Sequence, residues 1–156
     1  MSILSTILTP SHVAVDAQAS SKKALFEAAA TLLGSELTVS RQHIIDSLLA
    51  RERLGSTGLG QGIAIPHGRV KGLREAIGAF IRLREPIPFD APDNRPVNLV
   101  FVLLVPERAT DAHLQILSEL AQMFSDRAFR VELSAAPDAL TAQRLIAQWR
   151  ANVPNT

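Results

Sequence analysis

The chain has 156 residues, 47% hydrophobic and 20% charged, an ordinary globular mixture sized for a single domain over residues 1–156 whose core needs no staples. Sixteen Lys and Arg against 15 Asp and Glu leave a formal charge of +1, too small a field to hold nucleic acid or an anionic membrane. Without Cys or Tyr and with one Trp, the chain excludes disulfides, thiolate metal sites and cysteine nucleophiles, and offers little for base stacking.

The N-terminus is apolar but lacks a basic region, and Pro10, His12 and Asp16 interrupt it, so no secretory signal is expected. Ile3-Leu4 and Ile7-Leu8 are expected to pack on the chain's own core, with a second subunit as the alternative. Residues 20–33 read as a helix capped by Ser20 or Ser21, with Leu25, Ala29, Leu32 and Leu33 sharing a face and Gly34 as its stop. A second helix follows Ser40, with Ile44, Ile45, Leu48 and Leu49 apolar and Arg51-Glu52-Arg53 at its end, where cations suit the helix dipole. Four glycines between Gly55 and Gly62 predict an irregular segment with close backbone approach. A short strand, Ile63–Ile65, runs into Pro66-His67-Gly68. A strand is predicted over Ile77–Leu83, broken by the prolines of 86–92, and another over Val97–Val105. The unbroken apolar run from Leu99 to Val105 implies burial on both faces, and it is far too short to span a membrane. A helix capped by Thr110 or Asp111 is predicted over Ala112–Asp126, with Leu114, Leu117, Leu120, Ala121 and Phe124 on its buried side. Residues 127–136 are ambiguous. Pro137 fits the first turn of a last helix, with Leu140, Leu145, Ile146 and Trp149 facing inward. Interleaved helices and strands predict an α/β sandwich with one mixed sheet, and a cytoplasmic protein without membrane insertion is expected.

Of the four histidines, His67 stands apart. Pro66 stiffens the chain before it and Gly68 leaves room beside the ring, just past a strand, where open α/β sheets tend to bind ligands. His113 falls in the first turn of the helix that follows the strand ending at Val105. There, free N–H groups and positive potential favour an anion and disfavour an imidazolium. If the two strand ends are neighbours, both rings share a pocket. Arg51, and Arg53 beside it, offer guanidinium groups of the kind that hold phosphate bidentately. Together these residues suggest phosphoryl transfer to a neutral imidazole. Each also has a plainer reading: an ordinary loop histidine, a helix-capping His113, arginines that only complement a dipole, and a glycine loop without the Gly-Lys-Ser/Thr ending of a P-loop. His43 reads as solvated and His12 as a turn residue. No His-Glu-x-x-His pattern, metal-ligand spacing or Gly-x-Ser-x-Gly elbow occurs. The residues by themselves permit a phosphocarrier without demanding one.

The stretch Arg51-Glu-Arg-Leu-Gly-Ser-Thr-Gly-Leu-Gly-Gln-Gly-Ile-Ala-Ile-Pro-His67-Gly-Arg69 resembles the signature of the type-2 (fructose/mannitol) EIIA domains of the bacterial phosphotransferase system. The resemblance continues through Pro86-Ile-Pro-Phe-Asp90, Asp93-Asn-Arg-Pro-Val97, Leu99–Pro106 and Ala112-His113-Leu-Gln-Ile-Leu-Ser-Glu-Leu120. It looks closest to the nitrogen-regulatory branch, EIIA-Ntr. It implies a three-layer α/β sandwich, with a mixed and mostly parallel sheet flanked by helices. It also implies that His67 is phosphorylated, His113 is the second active-site histidine, and Arg51 binds the phosphoryl group. Backbone N–H groups near Gly68 would add hydrogen bonds. Neither cofactor nor metal is implied. The implied partners are an HPr-like (NPr) carrier, charged from phosphoenolpyruvate by an enzyme-I-like protein, and regulated targets such as potassium-transport or sensor-kinase components. The alternatives are a sugar-transport IIA component that passes phosphate to a IIB domain, a binding module with a vestigial site, and a metal-dependent hydrolase.

Overall fold

The computed structural model describes residues 3–34, 37, 39–108 and 111–150. In chain order the elements are α1 (Ile3–Ile7), β1 (Val13–Ala17), α2 (Lys22–Gly34), α3 (Arg41–Arg53), β2 (Gly58–Gly60), β3 (Ile63–Ala64), β4 (His67–Val70), β5 (Ile77–Ile87), β6 (Val97–Pro106), α4 (Asp111–Ser125), α5 (Arg127–Ala135) and α6 (Ala139–Gln148). A 3-10 turn, Pro10–His12, joins α1 to β1.

One mixed sheet runs β1-β5-β6-β3-β2, with β4 continuing along the β6 edge that β3 begins. The β1·β5, β3·β6 and β4·β6 pairs are parallel, and the β5·β6 and β2·β3 pairs antiparallel. β6 is central, and its side chains alternate between two cores. Leu99, Phe101, Leu103 and Val105 join α1, α4, α5 and α6 on one face. Val100, Val102 and Leu104 join α2 and α3 on the other. This is the three-layer sandwich expected, and the uninterrupted apolar run of β6 follows from helices covering both faces.

Helix ends are set by local chemistry. Ser21 Oγ accepts from the Ala24 N–H, deciding between the two caps expected for α2, and Ser40 Oγ accepts from the His43 N–H, capping the helix expected after it. Leu4, Ile7 and Leu8 are buried in the chain's own core.

Several expectations need correction. Part of the glycine-rich stretch is regular: β2 pairs with β3, with Gly60, Gln61 and Gly62 at positive φ supplying the tight turn. β5 runs on to Ile87, past the expected break; Pro86 lies where the β5·β6 register shifts, and a missing N–H is tolerated there. β1, a five-residue strand after an apolar helix, was not foreseen. The ambiguous segment is α5, capped by Asp126, whose carboxylate accepts from the Phe129 N–H. α6 starts after Asp138, which accepts from the Thr141 N–H, so Pro137 precedes the cap instead of entering the first turn. Leu140 is exposed, while Ile146 is buried and Leu145 and Trp149 pack partly buried against the core. In α4 the buried face is Ile116, Leu120, Met123 and Phe124. Ala121 and Leu114 are exposed, because the helix is rotated to seat Ile116 and Met123 on the sheet. Thr110, one of the two proposed caps of that helix, lies outside the described residues.

Candidate functional site

β3 and β4 read as one strand interrupted at Ile65-Pro66. The Ile65 N–H donates to the Thr57 carbonyl at 3.0 Å, and the Leu103 N–H donates to the Pro66 carbonyl at 2.9 Å. The chain therefore re-enters the sheet at His67, which pairs with Leu103 of β6. Because β4 and β6 are parallel neighbours, the helix that follows β6 begins beside β4. His67, Gly68, Arg51 and His113 consequently line one cavity of about 620 Å³, together with Arg69, Ser47, Leu103, Val105, Leu114 and Leu117. Arg51 reaches it from the last turn of α3 and His113 from the first turn of α4.

The His67 ring is half-buried, with Nδ1 2.9 Å from the Ile65 carbonyl oxygen. A carbonyl only accepts, so Nδ1 carries the proton and the lone pair is on Nε2. Burial pushes the imidazole below its ordinary pKa of 6.5. The Arg51 charge acts in the same direction, while the Ile65 bond and the Glu52 carboxylate oppose it. The ring is thus held as a neutral base of fixed tautomer. Arg51 is itself held, its Nη1 donating to the Gly55 carbonyl at 2.9 Å.

Gly68 has a different neighbour from the one expected. A Cβ there would meet Ser47 Oγ at 2.5 Å, so the missing side chain admits α3 and not only the imidazole. Ser47 Oγ in turn donates to the Arg69 carbonyl at 2.8 Å, tying α3 to β4. The segments after β5 brace the glycine-rich hairpin. Ser56 Oγ donates to the Phe89 carbonyl at 2.6 Å, and the Gln61 N–H donates to Asp93 Oδ2 at 2.8 Å. Those backbone N–H groups of Gln61 and Arg95 hold the Asp93 carboxyl below its usual pKa.

The other histidines divide. His43 is exposed, as expected, but stands on the cavity rim with Asp46. His12 is the turn residue expected, closing the 3-10 turn Pro10–His12, but its side chain is 1% exposed and belongs to the interior. Residue-type reasoning did not single out Ser47, Arg69 or Leu114; the available signal was the glycine after His67, which announces a close neighbour without naming it. Among the described residues no group of three or more His, Cys, Asp or Glu could hold a metal ion, and no helix is long and apolar enough to cross a membrane.

Comparison with known proteins shows the family and the fold. The family described as "Phosphoenolpyruvate-dependent sugar phosphotransferase system, EIIA 2" matches residues 6–149. A nitrogen regulatory protein of Pseudomonas aeruginosa is 44% identical over 144 residues, 92% of this chain and 94% of that protein. The crystal structure of nitrogen regulatory protein IIA-Ntr from Neisseria meningitidis superposes with a TM-score of 0.89 at 50% identity, covering 93% of this chain and 99% of that one. A fructose-specific EIIA component of Haloferax volcanii is 39% identical over 108 residues, 69% of this chain and 70% of that protein.

Proposed function

From the premise that this chain belongs to the EIIA 2 family of the phosphoenolpyruvate-dependent sugar phosphotransferase system, we propose that it is a regulatory phosphocarrier of the nitrogen-related branch, accepting its phosphoryl group on Nε2 of His67. The observation that carries this reading is the bond from His67 Nδ1–H to the Ile65 carbonyl at 2.9 Å. It leaves a lone pair on Nε2 of a ring whose burial, with the Arg51 charge, opposes protonation.

The donor in this reading is the phosphohistidine of an HPr-like carrier, charged from phosphoenolpyruvate by an enzyme-I-like protein in the cytoplasm. The Nε2 lone pair forms the new N–P bond as the donor's N–P bond breaks, and that electron pair returns to the donor nitrogen. No net proton transfer or metal is required, because both ends are imidazoles of similar leaving ability. Arg51 offsets the charge on the phosphoryl oxygens, His113 donates a hydrogen bond to one of them, and a backbone N–H near Gly68 adds another. Phosphorylation adds close to two negative charges beside exposed Leu114. Partners that dock over the unmodified ring are then repelled, which makes the site a switch for targets such as potassium-transport or sensor-kinase components. Acid-labile phosphate uptake from phosphoenolpyruvate, with purified enzyme-I-like and HPr-like proteins, is expected for the wild type and absent in His67→Ala. A His67→Ala protein that still takes up phosphate refutes the site. A folded wild type that takes up none favours a binding module.

The likeness to a fructose-specific EIIA component supports a second reading, a sugar-transport component that passes phosphate to a IIB domain. Rapid loss of phosphate from this protein to a purified IIB domain would favour it.

A further inference from the structure

Glu52 follows Arg51 on α3, but its carboxylate serves a different set of contacts. Its side chain is only 7% exposed, and a carboxylate so buried persists where charge-assisted bonds offset its desolvation. Those bonds are present. The Thr57 N–H donates to the two Glu52 oxygens at 2.9 and 3.1 Å, and the Thr57 hydroxyl reaches them at 2.9 and 3.1 Å. Lys22 Nζ stands 3.5 Å from Oε1.

The bonding continues toward the site. The Thr57 carbonyl accepts the Ile65 N–H at 3.0 Å, and the Ile65 carbonyl accepts His67 Nδ1–H at 2.9 Å. Thr57 and Ile65 are thus each held on both sides, in an unbroken series that starts at a buried carboxylate and ends on the ring. Pro66 shortens the slack in that series, since its ring fixes φ directly between Ile65 and His67.

We propose that Glu52 is a positioning residue for phosphoryl transfer: by clamping Thr57 it fixes the Ile65 carbonyl against His67 Nδ1, so that the ring keeps one tautomer and one orientation with Nε2 as the attacking atom. This rests on the phosphocarrier reading of His67 and assigns Glu52 a part in it. The charges around the clamp are accounted for. Lys22 faces Glu52 from α2 and also pairs with Asp90 at 3.2 Å, Arg51 stands on the same helix, and His67 lies across the hairpin on β4. Glu52 and Arg51 act on His67 with opposite sign, so the clamp also moderates the field of the neighbouring guanidinium.

The test compares Glu52→Ala with Glu52→Gln, whose amide still offers Thr57 an acceptor oxygen but no charge. The first readout is the pair of His67 ring ¹⁵N shifts in alkaline solution, which report the tautomer without any donor present. The second is the rate of phosphate uptake from the HPr-like carrier. Glu52→Ala is expected to populate both tautomers and to slow uptake roughly tenfold to a hundredfold, the scale of a small misplacement at a reacting centre. Glu52→Gln is expected to recover most of the Nδ1–H tautomer. Folded Glu52→Ala with the wild-type tautomer overturns the proposal, whatever its rate, because slower uptake with an unchanged ring is only structural damage. If Glu52→Ala does not fold, Glu52→Gln combined with Thr57→Val keeps both side-chain volumes, removes the charge and the hydroxyl, and is read by the same two outcomes. Because the tautomer is measured without phosphate, a wild type that accepts none refutes the phosphocarrier reading and with it the part of Glu52 in transfer, while the ring shifts separately decide whether Glu52 fixes the His67 tautomer.

Discussion

At the scale of single residues, the reactivity of His67 is controlled by what holds its other nitrogen. An imidazole in water exchanges tautomers and is partly protonated near neutrality. Here the Ile65 carbonyl fixes the proton on Nδ1, and burial lowers the pKa below 6.5. The consequence for stability has a definite sign. Between the folded and unfolded pKa values the unfolded chain binds more protons, so stability rises with pH through that window. The wild type should therefore lose stability as pH falls through 6.5 toward the lower folded value, and no more from this group below it. His67→Gln should lack that loss. Urea unfolding curves across the window measure the difference, and parallel pH profiles for the two proteins would refute it.

Among elements, the decisive contact is that of α3 with β4. Gly68 brings the strand so close to the helix that a Cβ would lie 2.5 Å from Ser47 Oγ and 3.3 Å from the Ser47 carbonyl oxygen. Gly68→Ala should cost about 1–3 kcal/mol, the usual range for overpacking, and should displace Arg51 from the ring. Ser47→Ala in the same protein should recover part of that loss despite breaking the bond to the Arg69 carbonyl. A Gly68→Ala midpoint in urea equal to wild type would show that the helix moves freely and that the contact does not set the site. The glycine-rich hairpin follows the same logic: a Cβ added at Gly58, Gly60 or Gly62 would come within 3.0, 3.2 and 3.0 Å of Ala91, Asp93 and Asn98, so the space of its missing side chains is taken by the loop after β5 and the start of β6.

For the whole molecule, β6 is the beam on which both cores hang. Phe101 is fully buried in the core beneath α4, α5 and α6, and its ring fills the space above Gly78, where an added Cβ would approach it to 2.7 Å. Phe101→Ala should cost about 3–5 kcal/mol, seen as a lower urea midpoint with an unchanged slope. A loss below about 1 kcal/mol would mean that the helices collapse into the vacancy with little strain. The other core, with Val100, Val102 and Leu104 facing α2 and α3, sets where Arg51 and Glu52 are delivered.

What the residues determined unaided was local or periodic. The apolar run of β6 demanded cover on both faces, Ser21 and Ser40 marked helix starts, and the block from Arg51 to Arg69 carried the family likeness. That block contains Arg51, His67 and Gly68, and the later segment Ala112–Leu120 contains His113, the four residues that the fold gathers into one cavity. Tertiary structure decided the remainder, because it depends on partners distant in the chain. β1 is too short to announce itself and exists by pairing with β5. The glycine hairpin becomes regular only against β3 and the loop after β5. The face that α4 buries is chosen by the sheet beneath it, which leaves Leu114 exposed on the cavity rim. Glu52 acquires its role through Thr57 and Ile65, since beyond the Thr57 hydroxyl the series that reaches His67 runs through backbone groups that every residue carries.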